Sequence, residues 1–133
     1  FVARRDRLWY SSPFTKLAHR MLKKIGLFAD IAVWWQDRMV ASAIRKVRKQ
    51  IPQARFTVVG LAKPGGMPDG VEDLRTMNMD LETELGWCRA YAKSQIAVGV
   101  HGSNMILPTA HAAGCVEILP LSLIHISEPT RPY

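Results

Sequence analysis

The chain has 133 residues, 48% hydrophobic and 22% charged, and its 18 Lys and Arg against 11 Asp and Glu give a formal charge of +7. That is room for one domain or part of one, with enough apolar content to bury a core, and no run approaches the roughly 18 apolar residues of a membrane span. Two cysteines, Cys88 and Cys115, make no disulfide framework or metal-ligand set. The basic excess fits either a phosphate-bearing partner or a solvated cationic face.

Phe1-Val2-Ala3 reads as the end of a strand running into a basic loop, Arg4-Arg5-Asp6-Arg7. Arginines just past a strand's carboxyl end can hold a phosphate bidentately; the plain alternative is a solvated loop. A chain that starts inside a strand is expected to be a fragment. Residues 13–25 place Phe14, Leu17, Ala18, Met21, Leu22 and Ile25 at helical spacing, with Lys16, His19, Arg20, Lys23 and Lys24 opposite. Ser11 or Ser12 suits the cap, Pro13 the first turn and Gly26 the stop. Such a helix either packs its stripe on the domain or rests on a membrane surface.

Residues 27–35 are apolar and aromatic without a clear period, and Trp34 and Trp35 are expected to pack. A second helix is predicted over 36–50, burying Val40, Ala43, Ile44, Val47 and Ile51. Arg45, Lys46, Arg48 and Lys49 suit the negative end of its dipole, and Pro52 stops it. No nucleic-acid module accompanies this cluster, so nucleic acid is not expected as a partner. Residues 55–60 read as a buried strand, 63–70 as a Gly/Pro loop and 71–77 as a short strand. Asp80 then caps a helix over 81–93, with Glu82 and Glu84 in its first turn and Leu81, Leu85, Cys88, Tyr91 and Ala92 facing inward.

Residues 95–120 carry the chemistry. An apolar strand, 96–100, leads to a polar corner, His101-Gly102-Ser103-Asn104. Small helix-tolerant residues come next at 110–113, closed by Gly114, and then a second strand over 115–119. This βαβ unit, with the elements before it, predicts an α/β fold: a Rossmann-like, mostly parallel sheet with helices on both faces. Its corner stands at a strand's carboxyl end, where open α/β sheets bind ligands and a helix N-terminus offers amides to phosphate.

The run VGVHGSNMILP, with VEILP after it, resembles the C-terminal domain of GT-B glycosyltransferases, and most of all the family 61 type. Val100, His101-Gly102-Ser103, Asn104, Pro108 and Glu117 carry the likeness, and Arg4, Arg5 and Arg7 stand where that family has an arginine-bearing first loop. The family corner usually runs His-Gly-Ala-Gly-Leu-Thr-Asn, whereas here Asn104 comes directly after Ser103. The resemblance implies that residues 1–120 form the C-terminal half of a GT-B fold and bind a nucleotide-sugar donor for transfer to a glycan acceptor. Its diphosphate would be held by amides of Gly102, Ser103 and Asn104 and by Arg4, Arg5 and Arg7, without a metal cofactor. His101 would bond the sugar or a phosphate, and Glu117 a ribose or sugar hydroxyl. The acceptor-activating base would lie outside this chain.

The setting implied is cytoplasmic, peripheral to the inner membrane if the basic helices touch it. Two rivals are a nucleotide-sugar epimerase of the same fold and a noncatalytic basic module that binds membrane or nucleic acid. Residues 121–131 resemble a translated sequencing adaptor, so 121–133 are expected to be a non-native tail.

Overall fold

The computed structural model describes residues 1–4 and 28–119; Arg5, Arg7, the helix expected over 13–25 and the tail 121–133 lie outside them. The elements run β1 Val2–Arg4, α1 Phe28–Gln50, β2 Phe56–Leu61, β3 Val71–Thr76, α2 Leu81–Ala92 and β4 Ile96–Val100. A 3-10 turn at Ser103–Met105, α3 Ile106–His111 and β5 Gly114–Ile118 complete them. All strand pairings are parallel, in the order β3-β2-β1-β4-β5, so the expected α/β Rossmann-like sheet is present.

Strand alternation divides the apolar side chains between two layers. Ala3 and Val58 pack with Val40 and Ile44 of α1, joined by Phe56, Met67 and Val71. Their neighbours Val2 and Val59 face the other way, onto Trp87 and Tyr91 of α2 and onto Met105. Helices therefore cover both faces.

Two helices depart from the expected pattern. α1 begins at Phe28, not at residue 36, and absorbs the aromatic stretch. Along it Ile31, Trp34 and Trp35 are about half exposed at 52%, 52% and 48%, while Gln36 is buried. Apolar groups on the wet side and an amide inside cancel the periodic signal. Val47 and Ile51, expected in the stripe, are also largely exposed. At about 1.5 Å per residue α1 is longer than the strands it covers, so its first turns overhang the sheet's carboxyl rim.

In α2, Asp80 accepts a hydrogen bond from the Thr83 amide at 2.7 Å, as expected of the cap. Tyr91 faces inward as expected, but its buried partner is Trp87, whereas Leu81, Leu85 and Ala92 stay exposed. Trp87 is fixed by its Nε1–H, which donates to the Leu74 carbonyl at 2.8 Å. The helix predicted over 110–113 starts earlier, and Gly114 opens β5 instead of closing a helix.

Glycine sets the closest approach in the sheet. Gly60 has φ +129°, and a Cβ there would overlap the Ala3 carbonyl of the paired strand. Gly65 has a similar φ of +127° with nothing within 4 Å. Gly60→Ala is expected to cost more than about 2 kcal/mol, and clearly more than Gly65→Ala, in urea unfolding. Equal losses would mean that backbone conformation alone, and not the approach of β1, demands glycine at Gly60.

Candidate functional site

From β1 the chain builds β2 and β3 on one side, then returns through α2 to place β4 and β5 on the other. The order reverses between β1 and β4. In open α/β sheets the crevice outside the carboxyl ends at such a reversal is where ligands bind. Val2 pairs with Gly99, so Arg4 at the end of β1 comes level with His101, the residue that follows β4. The carboxyl end of β1 and the His-Gly corner thus stand at the same rim of the sheet.

The corner is tied down at both ends. The His101 amide donates to the Ile118 carbonyl at 3.0 Å, and the Met105 amide to the Gly102 carbonyl at 2.9 Å. The amides of Gly102, Ser103 and Asn104 thus precede the first intrahelical bond and have no helical acceptor. Gly102 has φ 153° and ψ −177°, a backbone state that suits glycine. Met105, 1% exposed, anchors the turn: its sulfur lies where a Cβ on Gly99 would stand. Strand and turn approach this closely because Gly99 has no side chain. Neither Gly99 nor Met105 carries a sequence signal for this role beyond a glycine interrupting a Val-rich strand.

The structure brings His101 and Glu117 together, with Nδ1 of the ring against Oε2 of the carboxylate. Both remain partly exposed, at 46% and 31% of the side chain. The family resemblance assigns Glu117 to a ribose or sugar hydroxyl; in the structure the carboxylate also meets the His101 imidazole. Asn104 adds a feature that its sequence position does not foretell. Its side-chain oxygen and nitrogen are both buried without a hydrogen-bond partner, and such orphaned pairs are rare because each costs free energy.

The expected helix N-terminus needs correction. The corner leads into one 3-10 turn and then a six-residue helix, so the aligned peptide dipoles are few. Any anion held at this corner would therefore meet local amides and not a long macrodipole. Of the arginines expected to share the work, Arg4 is placed by its backbone, while Arg5 and Arg7 lie outside the described residues.

A second polar cluster lies on the α1 face. Arg75 of β3, its side chain fully buried, donates to Asp37 of α1 at 2.7 Å, to both Asp73 oxygens at 2.8 Å and to the Gly65 carbonyl. The Gly65 amide donates back to Asp73 at 2.9 Å. This network replaces a crossover helix between β2 and β3 by pinning the intervening loop. Burial alone would raise the Asp73 carboxyl, but the Arg75 hydrogen bonds, the Gly65 amide and the Arg75 charge hold it below the usual range. At Asp37 burial prevails over the attraction of Arg75 and pushes the carboxyl up.

Comparison with known proteins finds no matching family model, no matching curated protein and no matching solved structure. None of the described helices is long and apolar enough to cross a membrane.

A carboxyl held low by the fold contributes stability above its unfolded-state value and loses it as pH falls through the folded one. Asp73 and the cap Asp80, lowered by its bonds to Thr83, both work this way; the raised Asp37 works in the opposite sense. Asp73→Asn is therefore expected to lower the urea midpoint at neutral pH and to flatten its decline below about pH 4. Arg75→Met, which strands two carboxylates, is expected to cost about 3–5 kcal/mol at neutral pH. An unchanged acid limb in Asp73→Asn would remove Asp73 from the account.

Proposed function

We propose that this domain is the donor-binding half of a GT-B-type glycosyltransferase and holds the diphosphate of a nucleotide sugar at the 101–104 corner. The observation that carries the reading is the position of that corner: at the strand-order reversal, level with Arg4 on the adjacent strand. Three amides with no helical acceptor, a histidine held by Glu117 and a buried, unpartnered Asn104 carboxamide all belong to this one corner, which supports the reading. Amides and guanidinium groups donate to anionic oxygens, while the His101 imidazole and the carboxamide suit sugar hydroxyls or phosphate edges.

Glycosyl transfer breaks the bond between the anomeric carbon and the diphosphate oxygen. The electron pair leaves with the nucleoside diphosphate, so negative charge grows on that oxygen as the acceptor hydroxyl attacks. Donors fixed beforehand stabilise this charge more in the transition state than in the ground state, which is what raises the rate. In this reading Arg4 and the corner amides perform that task, and no metal is required. The proton of the acceptor is taken by a base outside this chain, so the chain alone binds without turning over.

Uridine diphosphate is expected to raise the melting temperature of the chain by several degrees at saturating concentration. Ser103→Pro removes one amide at a position where proline fits a helical start, and Arg4→Ala removes a cation; each is expected to abolish most of that shift. His101→Ala and Glu117→Gln are expected to reduce it. Absence of a shift in the unsubstituted chain, or a shift indifferent to Ser103→Pro and Arg4→Ala, would overturn the assignment. Equal protection by an oligonucleotide of matched charge would favour a general basic surface instead.

A further inference from the structure

An open groove of about 700 Å³ lies between α1 and the loop after β2. One wall is a single stripe of α1, Trp34, Arg38, Ala41 and Arg45 at successive helical spacings; Lys63, Gly65 and their loop neighbours make the other. We infer that this groove binds an acidic oligosaccharide, one whose sugar rings carry carboxylates.

Charge supports this first. No carboxylate pairs with Arg38, Arg45 or Lys63 among the described residues. The acidic group that does line the groove, Asp37, is offset by the buried Arg75 at 2.7 Å. The groove is therefore cationic although a carboxylate stands in its wall. Guanidinium groups match carboxylates bidentately, which favours an anion bearing them over a diffuse counterion cloud.

Spacing and shape point to a sugar chain. Arg38 and Arg45 are seven residues apart on one face, about 10 Å along the helix, roughly the length of a disaccharide unit. Trp34 is 52% exposed, and the Arg38 guanidinium lies 4.8 Å from its ring centroid. A half-exposed indole with a cation held over its ring offers apolar surface for a sugar's C–H groups and a partner for that sugar's carboxylate. A single-stranded nucleic acid would call for successive aromatic plates along a basic track, and among the described residues the groove has Trp34 alone. A flat bilayer would not enter a concavity.

The groove is also built before any ligand arrives. The same Arg75 network that joins the Gly65 carbonyl and amide to Asp73 and Asp37 fixes the loop wall against the helix. A fixed wall lowers the ordering cost of binding. Since β2 stands two strands from β4 at the same rim, about 10 Å away, the groove is a separate site, and this inference does not depend on what the corner holds.

The test is calorimetric titration of the full chain with a hexamer of galacturonic acid, alongside uncharged maltohexaose and a thymidine oligonucleotide. Saturable binding of the uronate hexamer is expected, with maltohexaose weaker by about tenfold or more. Arg45→Ala and Lys63→Ala, both exposed positions, are each expected to weaken it by about tenfold. A change in tryptophan emission on binding is expected to disappear in Trp34→Phe, and His101→Ala is expected to leave the affinity unchanged. Equal binding of maltohexaose, tighter binding of the oligonucleotide, loss of binding in His101→Ala, or affinities indifferent to Arg45→Ala and Lys63→Ala would each overturn the inference.

Discussion

Val2 carries two strand pairings at once, with Val59 of β2 on one side and Gly99 of β4 on the other. β1 is only three residues long, yet both halves of the sheet register against it. Because parallel strands slant their hydrogen bonds evenly, that register decides which carboxyl ends stand at the same height. Arg4 and His101 become neighbours on the rim only as a consequence. The close approaches around this strand depend on glycine: Gly60 against Ala3, and Gly99 under Met105. Removing that freedom would separate the very elements whose meeting creates the crevice.

Two polar arrangements then divide the rim. At the reversal between β1 and β4 the corner has amides, an imidazole and a carboxamide gathered around a short 3-10 turn. Beyond β2 the Arg75 network spends its charge internally, holding a loop where a crossover helix would ordinarily sit. Buried ion networks of this kind seldom add net stability over apolar packing, but they resist partial disruption strongly. Arg75 therefore acts as a fastener for the α1 face, beside which Arg38, Arg45 and Lys63 remain exposed.

Much of the sheet is legible from residues alone. The runs at 56–60, 71–76 and 96–100 are short, apolar or alternating, and bounded by glycine, proline or a capping aspartate, so strand identity comes from local chemistry. The corner's position is legible too, because a Gly/Ser/Asn run after an apolar strand marks where the strand must end. The helices are harder. α1 hides its period by burying Gln36 while exposing Trp34 and Trp35, and α2 turns Trp87 inward where the pattern calls for Leu81 and Leu85. In both, tertiary contact overrides the simple stripe. The Arg75–Asp37 bond joins residues 38 apart, and nothing in the local sequence VEDLRT announces that its arginine is buried. The His101–Glu117 contact likewise exists only because β4 and β5 pair in register, Gly99 with Glu117.

The central claim is that bare amides on the turn after β4 receive a diphosphate. Hydrogen–deuterium exchange of the full chain, with and without uridine diphosphate, addresses it at the atoms concerned. The account predicts slowed exchange concentrated in the peptide spanning 101–105 and in the segment just after Arg4, with β3 and its loop unchanged. Exchange at 101–105 that is indifferent to the nucleotide, or protection confined to the α1 groove, would contradict it.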